Sequence, residues 1–314
     1  MNAAIGGWGV AVPDTLLTNA DLERRLDTSD RWIRDRTGIA ERRIAAPSES
    51  TASLAADAAA AAMKHADLTP DDVQLLVVAT ASPGQPLPAT SAFVADRLGL
   101  RCGAFDVGAA CAGFVYATVV GASLLESGGL GAAVVVGAET MSRITDPLDR
   151  TTAVLFGDAA AAVALVPSAG HEGTLVAWDL GCDGSAAPYL EIRPGEQYLR
   201  MEGREVFRRA VRVVVDSSHA VLARAGISVD DVALFVPHQA NARMIEAIAE
   251  RLAIRPERVM INIERYGNTS GASIPLALAE AAESGRLHDG DVVLMSGFGA
   301  GMTWASALLR WRNP

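Results

Sequence analysis

Short apolar runs bounded by glycine, proline or small polar residues alternate along this chain with longer amphipathic or alanine-rich stretches. That pattern marks strands buried on both faces and the helices that cover them. Residues 5–12 alternate and predict a strand ending at Pro13. Thr18 or Asn19 caps a predicted short helix through Leu26, and residues 28–36, with Trp32, predict a second. An alanine-rich helix is expected over 55–66 and a fully apolar strand over 75–79. A proline- and glycine-rich loop at 82–88 then precedes a helix through Leu98. Further strands are expected at 104–107, 132–136 and 159–166, with a long helix of small and apolar residues over 112–125. Residues 167–173 are the most linker-like stretch and set the expected boundary between two halves.

The second half repeats the first. LTPDDVQLLV at 68–77 matches ISVDDVALFV at 227–236, an offset of 159, and ESGGL at 126–130 matches ESGRL at 283–287, an offset of 157. Both matches precede an apolar strand, so the chain is read as two pseudo-symmetric α/β halves with a site where they meet. At the second offset Cys111 falls opposite Asn268.

Three turns carry candidate chemistry. Cys111 follows a small-residue turn at 108–110 and begins the 112–125 helix, where unpaired N–H groups and the positive dipole end favour a thiolate. Position alone leaves it between a nucleophile and a small core residue. In Pro237-His238-Gln239-Ala240-Asn241 a buried strand is expected to end and a helix to start at His238. Gly267-Asn268-Thr269-Ser270-Gly271-Ala272-Ser273 leads into a helix over 274–283. The glycine-rich stretch 296–301, after a strand over 292–295, could present backbone N–H groups to an oxyanion.

Composition narrows the class. The chain has 314 residues, 50% hydrophobic, enough to share a core between two halves. No basic leader with an apolar core and no apolar run long enough to span a bilayer is read from it, so a cytoplasmic protein without membrane attachment is expected. The three cysteines, 102, 111 and 182, lack metal-ligand spacing and suit a reducing compartment. A formal charge of −10 argues against nucleic-acid binding.

Taken together, CAGF at Cys111, PHQAN around His238, GNTSGAS around Asn268, GFGAGMTW at 297–304, DTSDRWIRDRTGI at 27–39 and FGD at 156–158 resemble β-ketoacyl-acyl carrier protein synthase III. The resemblance runs from the first strand to Trp311. It implies a thiolase-like, five-layered αβαβα fold of two pseudo-symmetric halves, here residues 1–166 and 167–314, usually as a homodimer. It implies an acyltransferase, a condensing enzyme that joins an acyl-CoA primer to malonyl-acyl carrier protein with loss of CO2, needing no metal or redox cofactor. Cys111 would carry the acyl group, and His238 and Asn268 would stabilise the enolate. The backbone N–H groups of Cys111 and Ala300 would hold the acyl oxyanion, Ala300 standing where many relatives have glycine. Trp32 and Arg150 would sandwich the CoA adenine, Arg36 would lie near the phosphates and Phe207 along the pantetheine tunnel. Leu87, Leu155 and Phe156 would line the acyl pocket, with Leu87 reaching the partner's pocket and, where acetyl-preferring members often have Phe, leaving room for branched or longer primers. Arg208, Arg212, Arg243 and Arg251 would face the acidic carrier protein, with Glu250 where some relatives have lysine. A thiolase would carry a second cysteine in the 296–301 stretch, which has none. An acyltransferase of secondary metabolism acting on an alcohol or amine, and a catalytically silent partner subunit, are the other readings.

Overall fold

The structure, a computed structural model, describes residues 2–170 and 174–313. The first half runs β1 (Asn2–Ala11), β2 (Leu16–Thr18), α1 (Asn19–Glu23), α2 (Asp30–Thr37), β3 (Glu41–Arg43), α3 (Thr51–His65), β4 (Leu75–Ala79), α4 (Thr90–Leu98), β5 (Gly103–Val107), α5 (Gly113–Leu124), β6 (Ala133–Thr140), α6 (Arg150–Ala153) and β7 (Asp158–Ser168). The second runs β8 (Leu175–Cys182), β9 (Leu190–Glu191), β10 (Arg200–Met201), α7 (Gly203–Ala225), β11 (Val232–Pro237), α8 (Ala242–Arg251), α9 (Ile263–Tyr266), α10 (Ser273–Glu283), β12 (Val292–Gly299) and β13 (Thr303–Arg310).

Each half builds a sheet of the same order, β1-β7-β6-β4-β5 in the first and β8-β13-β12-β11 in the second. A parallel bridge from Phe235 to Val259 takes the place of a fifth strand in the second sheet. Apolar strands follow because both faces are covered. Leu75, Val77 and Ala79 face the central layer, while Leu76 and Val78 face α3 and α4. The central layer holds α5 and α10, α7 and α8 cover the far side of the second sheet, and the result is five layers, αβαβα.

The repeat has a physical basis in capping. Thr69 takes Asp72 as the acceptor for its backbone N–H and hydroxyl, and 159 residues later Ser228 takes Asp231 as the acceptor for its backbone N–H. At the centre the equivalence differs from the sequence-based expectation. The 3-10 turn Ala110–Ala112 matches Ser270–Ala272, an offset of 160, and Ala110 and Ser270 both have left-handed φ, 45° and 47°. Cys111 is therefore opposite Gly271, not Asn268. The smaller offset at 126–130 arises because the second-half helix reaches its closing turn in fewer residues.

Other boundaries shift for local reasons. The strand β7 runs through Pro167 to Ser168, and residues 171–173 of the expected linker lie outside the described residues. The helix expected at His238 begins at Ala242, because the Asn241 side chain caps it by accepting from the Arg243 N–H. Residues 296–299 are strand paired with β13, so only 300–302 turn. Contrary to the reading of the sequence, Ala110–Gly129 is long and apolar enough to cross a membrane. It lies largely buried between the two sheets, where that apolar surface meets β4, β6 and β13.

The two central turns press on glycines of the opposite half. A Cβ on Gly137 of β6 would lie 2.2 Å from the Gly271 carbonyl oxygen, and one on Gly297 of β12 would lie 3.2 Å from that of Cys111. Gly137→Ala should therefore overpack the junction and lower unfolding free energy by about 1–3 kcal/mol, measured by denaturant titration.

Candidate active site

Cys111, His238 and Asn268 come from three different loops and line one cavity of about 140 Å³, together with Leu155, Phe207 and Phe298. All three are buried, with relative exposures of 7%, 3% and 7%. The left-handed Ala110 turns the chain sharply enough to present Cys111 at the head of α5. His238 leaves the end of β11, its backbone N–H donating to Ser296 O at 2.8 Å and its ring meeting Phe298 edge-on at 5.4 Å. Asn268 is clamped by its backbone, donating to Leu155 O at 2.8 Å and accepting from Gly157 N at 3.1 Å.

Hydrogen bonds set which atoms face the cavity. The Asn268 Oδ1 accepts from Ser270 N at 2.9 Å, which leaves the Nδ2 hydrogens to point elsewhere. The His238 Nδ1 lies 2.7 Å from Ser273 Oγ. Gln239 N donates to that same oxygen at 3.4 Å, and with the Ser273 hydroxyl donating to Nδ1 the ring proton resides on Nε2. Among the described residues Nε2 is buried without a partner. Two neutral donors thus converge on the cavity that holds the Cys111 sulfur. Burial drives the His238 pKa down to about 3, so the ring stays uncharged. Burial also pushes the Cys111 thiol up to about 12, against a hydrogen bond to Ser270 Oγ at 3.3 Å. The helix start does not make a resting thiolate here, because desolvation of the charge outweighs the dipole.

A second cavity, about 130 Å³, also meets Cys111 and is lined by Met141, Ile144, Phe156, Leu190, Leu199 and Ala300.

Comparison with known proteins completes the picture. Models of the 3-oxoacyl-[acyl-carrier-protein] synthase III family match residues 105–184, and its C-terminal part matches 222–311. The chain is 49% identical over 99% of both chains to β-ketoacyl-[acyl-carrier-protein] synthase III of Listeria monocytogenes serotype 1/2a (strain 10403S). The chain belongs to the β-ketoacyl-acyl carrier protein synthase III family. It is a condensing enzyme of the kind that initiates fatty-acid synthesis, on the thiolase fold. The synthase III structure from Aquifex aeolicus VF5 superposes with a TM-score of 0.96 at 43% identity, covering 98% of this chain and 100% of that one. The priming β-ketosynthase of the R1128 polyketide pathway gives 0.95 at 36%, covering 100% and 97%.

In this synthase the other expected site residues are distributed unevenly. The Arg36 and Arg150 guanidiniums lie 4.5 and 5.1 Å from the Trp32 ring centre, on the surface, and Arg150 also donates to Asp27 O. Leu155 and Phe207 line the Cys111 cavity, and Phe156 lines both cavities. Leu87 is 82% exposed on its loop and reaches neither cavity of its own chain. Arg208 and Arg212 are exposed on α7, but each is paired within the helix, with Glu205 at 2.8 Å and Asp216 at 3.6 Å, which tempers the expected basic face. Arg243 and Arg251 are exposed on α8. Reading the sequence missed Ser273, which fixes the His238 tautomer, and the fully buried Glu139 beneath the Asn268 turn. Ser273 was within the quoted motif but had no role there, and an acid inside an apolar strand was a signal left unread.

NMR of ring-labelled protein should show His238 as the neutral Nε2–H tautomer from about pH 8 to pH 5, well below the ordinary histidine range. Ser273→Ala should erase that tautomer preference.

Proposed function

We propose that Cys111 takes an acyl group from acyl-CoA and that His238 and Asn268 then promote its condensation with malonyl-acyl carrier protein. The observation that carries this reading is the convergence of Nε2–H of His238 and the Asn268 amide on the cavity of the Cys111 sulfur. Sulfur attack on the primer thioester expels CoA and leaves an acyl-enzyme, in the sense of an acyltransferase. The acyl oxyanion would rest on the backbone N–H groups of Cys111 and Ala300, both of which line the apolar cavity. The malonyl thioester carbonyl then accepts from His238 and Asn268. Neutral donors suit this step: the enolate formed as CO2 leaves gains the most where negative charge develops. Its carbon attacks the acyl carbonyl and frees Cys111. These donors handle the charge without a metal or redox cofactor.

The remaining assignments follow the same geometry. Trp32 with Arg150 offers a stacking surface for the adenine, Arg36 a cation for the phosphates, and Phe207 a wall for the pantetheine arm. Arg208, Arg212, Arg243 and Arg251 would meet the acidic carrier protein. A cytoplasmic protein and a homodimer are proposed, the homodimer supported by β5, an edge strand with exposed residues beside the loop of Leu87. In that dimer Leu87 would close the partner's acyl cavity. Likeness to the R1128 priming enzyme favours a second reading only for the carrier protein, one of polyketide rather than fatty-acid synthesis.

Mass spectrometry after incubation with acyl-CoA should find the acyl mass on Cys111, and none on Cys111→Ala. His238→Ala and Asn268→Ala should load normally yet condense about 10²–10³-fold more slowly. An Asn268→Ala enzyme that condensed at the unmodified rate would refute the enolate role. Size-exclusion chromatography with light scattering should give twice the chain mass of 32.7 kDa, and isobutyryl- or hexanoyl-CoA should be used at least as well as acetyl-CoA. A strong preference for acetyl would overturn the primer assignment.

A further inference from the structure

Arg42, in the middle of β3, is a fully buried cation that none of the steps above uses. Among the described residues its guanidinium donates to neutral oxygens: Nη1 to Leu17 O at 3.2 Å and Asn19 Oδ1 at 2.8 Å, and Nη2 to Val154 O at 2.8 Å. Nε is buried without a partner among them. Burial lowers the pKa to about 10, which still leaves the group charged at neutral pH. The FGD and GNTSGAS motifs each supply a glycine that makes room for it, since a Cβ on Gly157 or Gly267 would lie 3.0 or 3.2 Å from the Arg42 Cβ. A buried charge without a counter-ion is costly. What a guanidinium offers in return is geometry, a planar fork that holds acceptors on two sides at fixed angles.

Those acceptors lead to the two sides of one surface site. Asn19, its Oδ1 engaged by Arg42, donates through Nδ2 to Asp30 Oδ1 and to Ile39 O, both at 2.8 Å. The first contact is at the start of α2 and the second just past its end, so one amide holds both ends of the helix that carries Trp32 and Arg36. Val154 caps the end of α6, the helix that begins with Arg150, and packs with Ile33 and Ile39. The Arg150 guanidinium lies 5.1 Å from the Trp32 ring centre. The contact of Arg150 with Asp27 O is exposed; the buried connection between the two sides runs through Arg42.

We propose that Arg42 is a positioning residue for the primer: through Asn19 on one side and Val154 on the other, it sets the separation of Trp32 and Arg150 as the two walls of the adenine site. Stacking on a flat ring and contact with a cation both depend on that separation. A rigid group bonded toward both walls fixes it before the nucleotide arrives, so less ordering remains to be done on binding. Arg42 touches neither the nucleotide nor the sulfur and acts through the walls.

The inference rests on the reading that Trp32 and Arg150 hold the adenine of CoA, and the experiment separates the two. Primer loading is measured with an acyl-CoA and with the same acyl group on pantetheine, which lacks the nucleotide, and kcat/KM for the first is divided by kcat/KM for the second. General damage to the fold or to Cys111 lowers both and cancels in the ratio. Arg42→Lys keeps the charge and loses the fork, and it should lower the ratio about tenfold through a higher KM for acyl-CoA. Asn19→Ala leaves the guanidinium in place and cuts its link to α2; it should lower the ratio in the same way, and it carries the test if Arg42→Lys does not fold. Trp32→Ala reports on the adenine site itself. If Trp32→Ala lowers the ratio while folded Arg42→Lys or Asn19→Ala leaves it unchanged, the positioning role is overturned, however much the overall rate falls. If Trp32→Ala leaves the ratio unchanged, the adenine is not held there and the reading beneath the inference fails.

Discussion

The contact of each central turn with the sheet of the other half constrains everything else. Gly137 and Gly297 occupy equivalent places in β6 and β12, 160 residues apart, and each lets a carbonyl of the opposite turn come closer than a side chain would allow. That approach locks α5 and α10 side by side between the sheets, where Phe114, Ile274 and Leu278 complete a shared core. It also explains the two left-handed residues, since Ala110 and Ser270 bend the chain so that a helix can start against a glycine. Strain and close packing at these two points place the sulfur and the amide in one cavity.

Electrostatics within this junction follows from how little charge it can hold. Cys111, His238 and Glu139 are all buried, and burial pushes each toward its neutral form. Glu139 resists because backbone and hydroxyl donors surround its oxygens. An uncharged histidine with a free Nε2–H and an amide whose oxygen is already engaged are donors only, which is the property a developing enolate requires. A charged imidazolium there would add attraction but would need a counter-ion, and among the described residues none is hydrogen-bonded to the ring.

Most of the fold could be read from patterning. The run Leu75–Ala79 is a strand buried on both faces, as its unbroken apolarity implies, and the repeated DDV segments mark equivalent caps. The motifs around Cys111, His238 and Asn268 identified a site whose parts lie far apart in sequence and together in space. The missing parts depended on distance. Pairing Cys111 with Asn268 failed because the two helices differ in length after the turn, which periodicity cannot register. The thiolate expected from the helix dipole failed because burial is set by residues from both halves. A basic face inferred from Arg208 and Arg212 overlooked acids three and four residues away on the same helix, Glu205 and Asp216.

Pseudo-symmetry explains why only one turn carries a nucleophile. Gly271 occupies the place equivalent to Cys111, but a Cβ there would lie 3.1 Å from the Glu139 carboxylate and within 3.6 Å of the carbonyl oxygens of Ala79 and Ala110. Glu139 in turn is equivalent to Gly299, whose missing side chain leaves the Cys111 N–H uncovered where Glu139 binds the N–H of Gly271. The second half departs from the first once more. His238 and Ser273, 2.7 Å apart, stand where the first half has Ala79 and Gly113, and a Cβ on Gly113 would lie only 3.1 Å from that of Ala79. Glu139 of the first half covers the turn of the second, while Gly299 of the second leaves the Cys111 N–H of the first half's turn uncovered. The reacting groups occupy the space that this asymmetry creates, so exchanging Glu139 and Gly299 between the halves would bury the oxyanion donor and uncover the wrong turn.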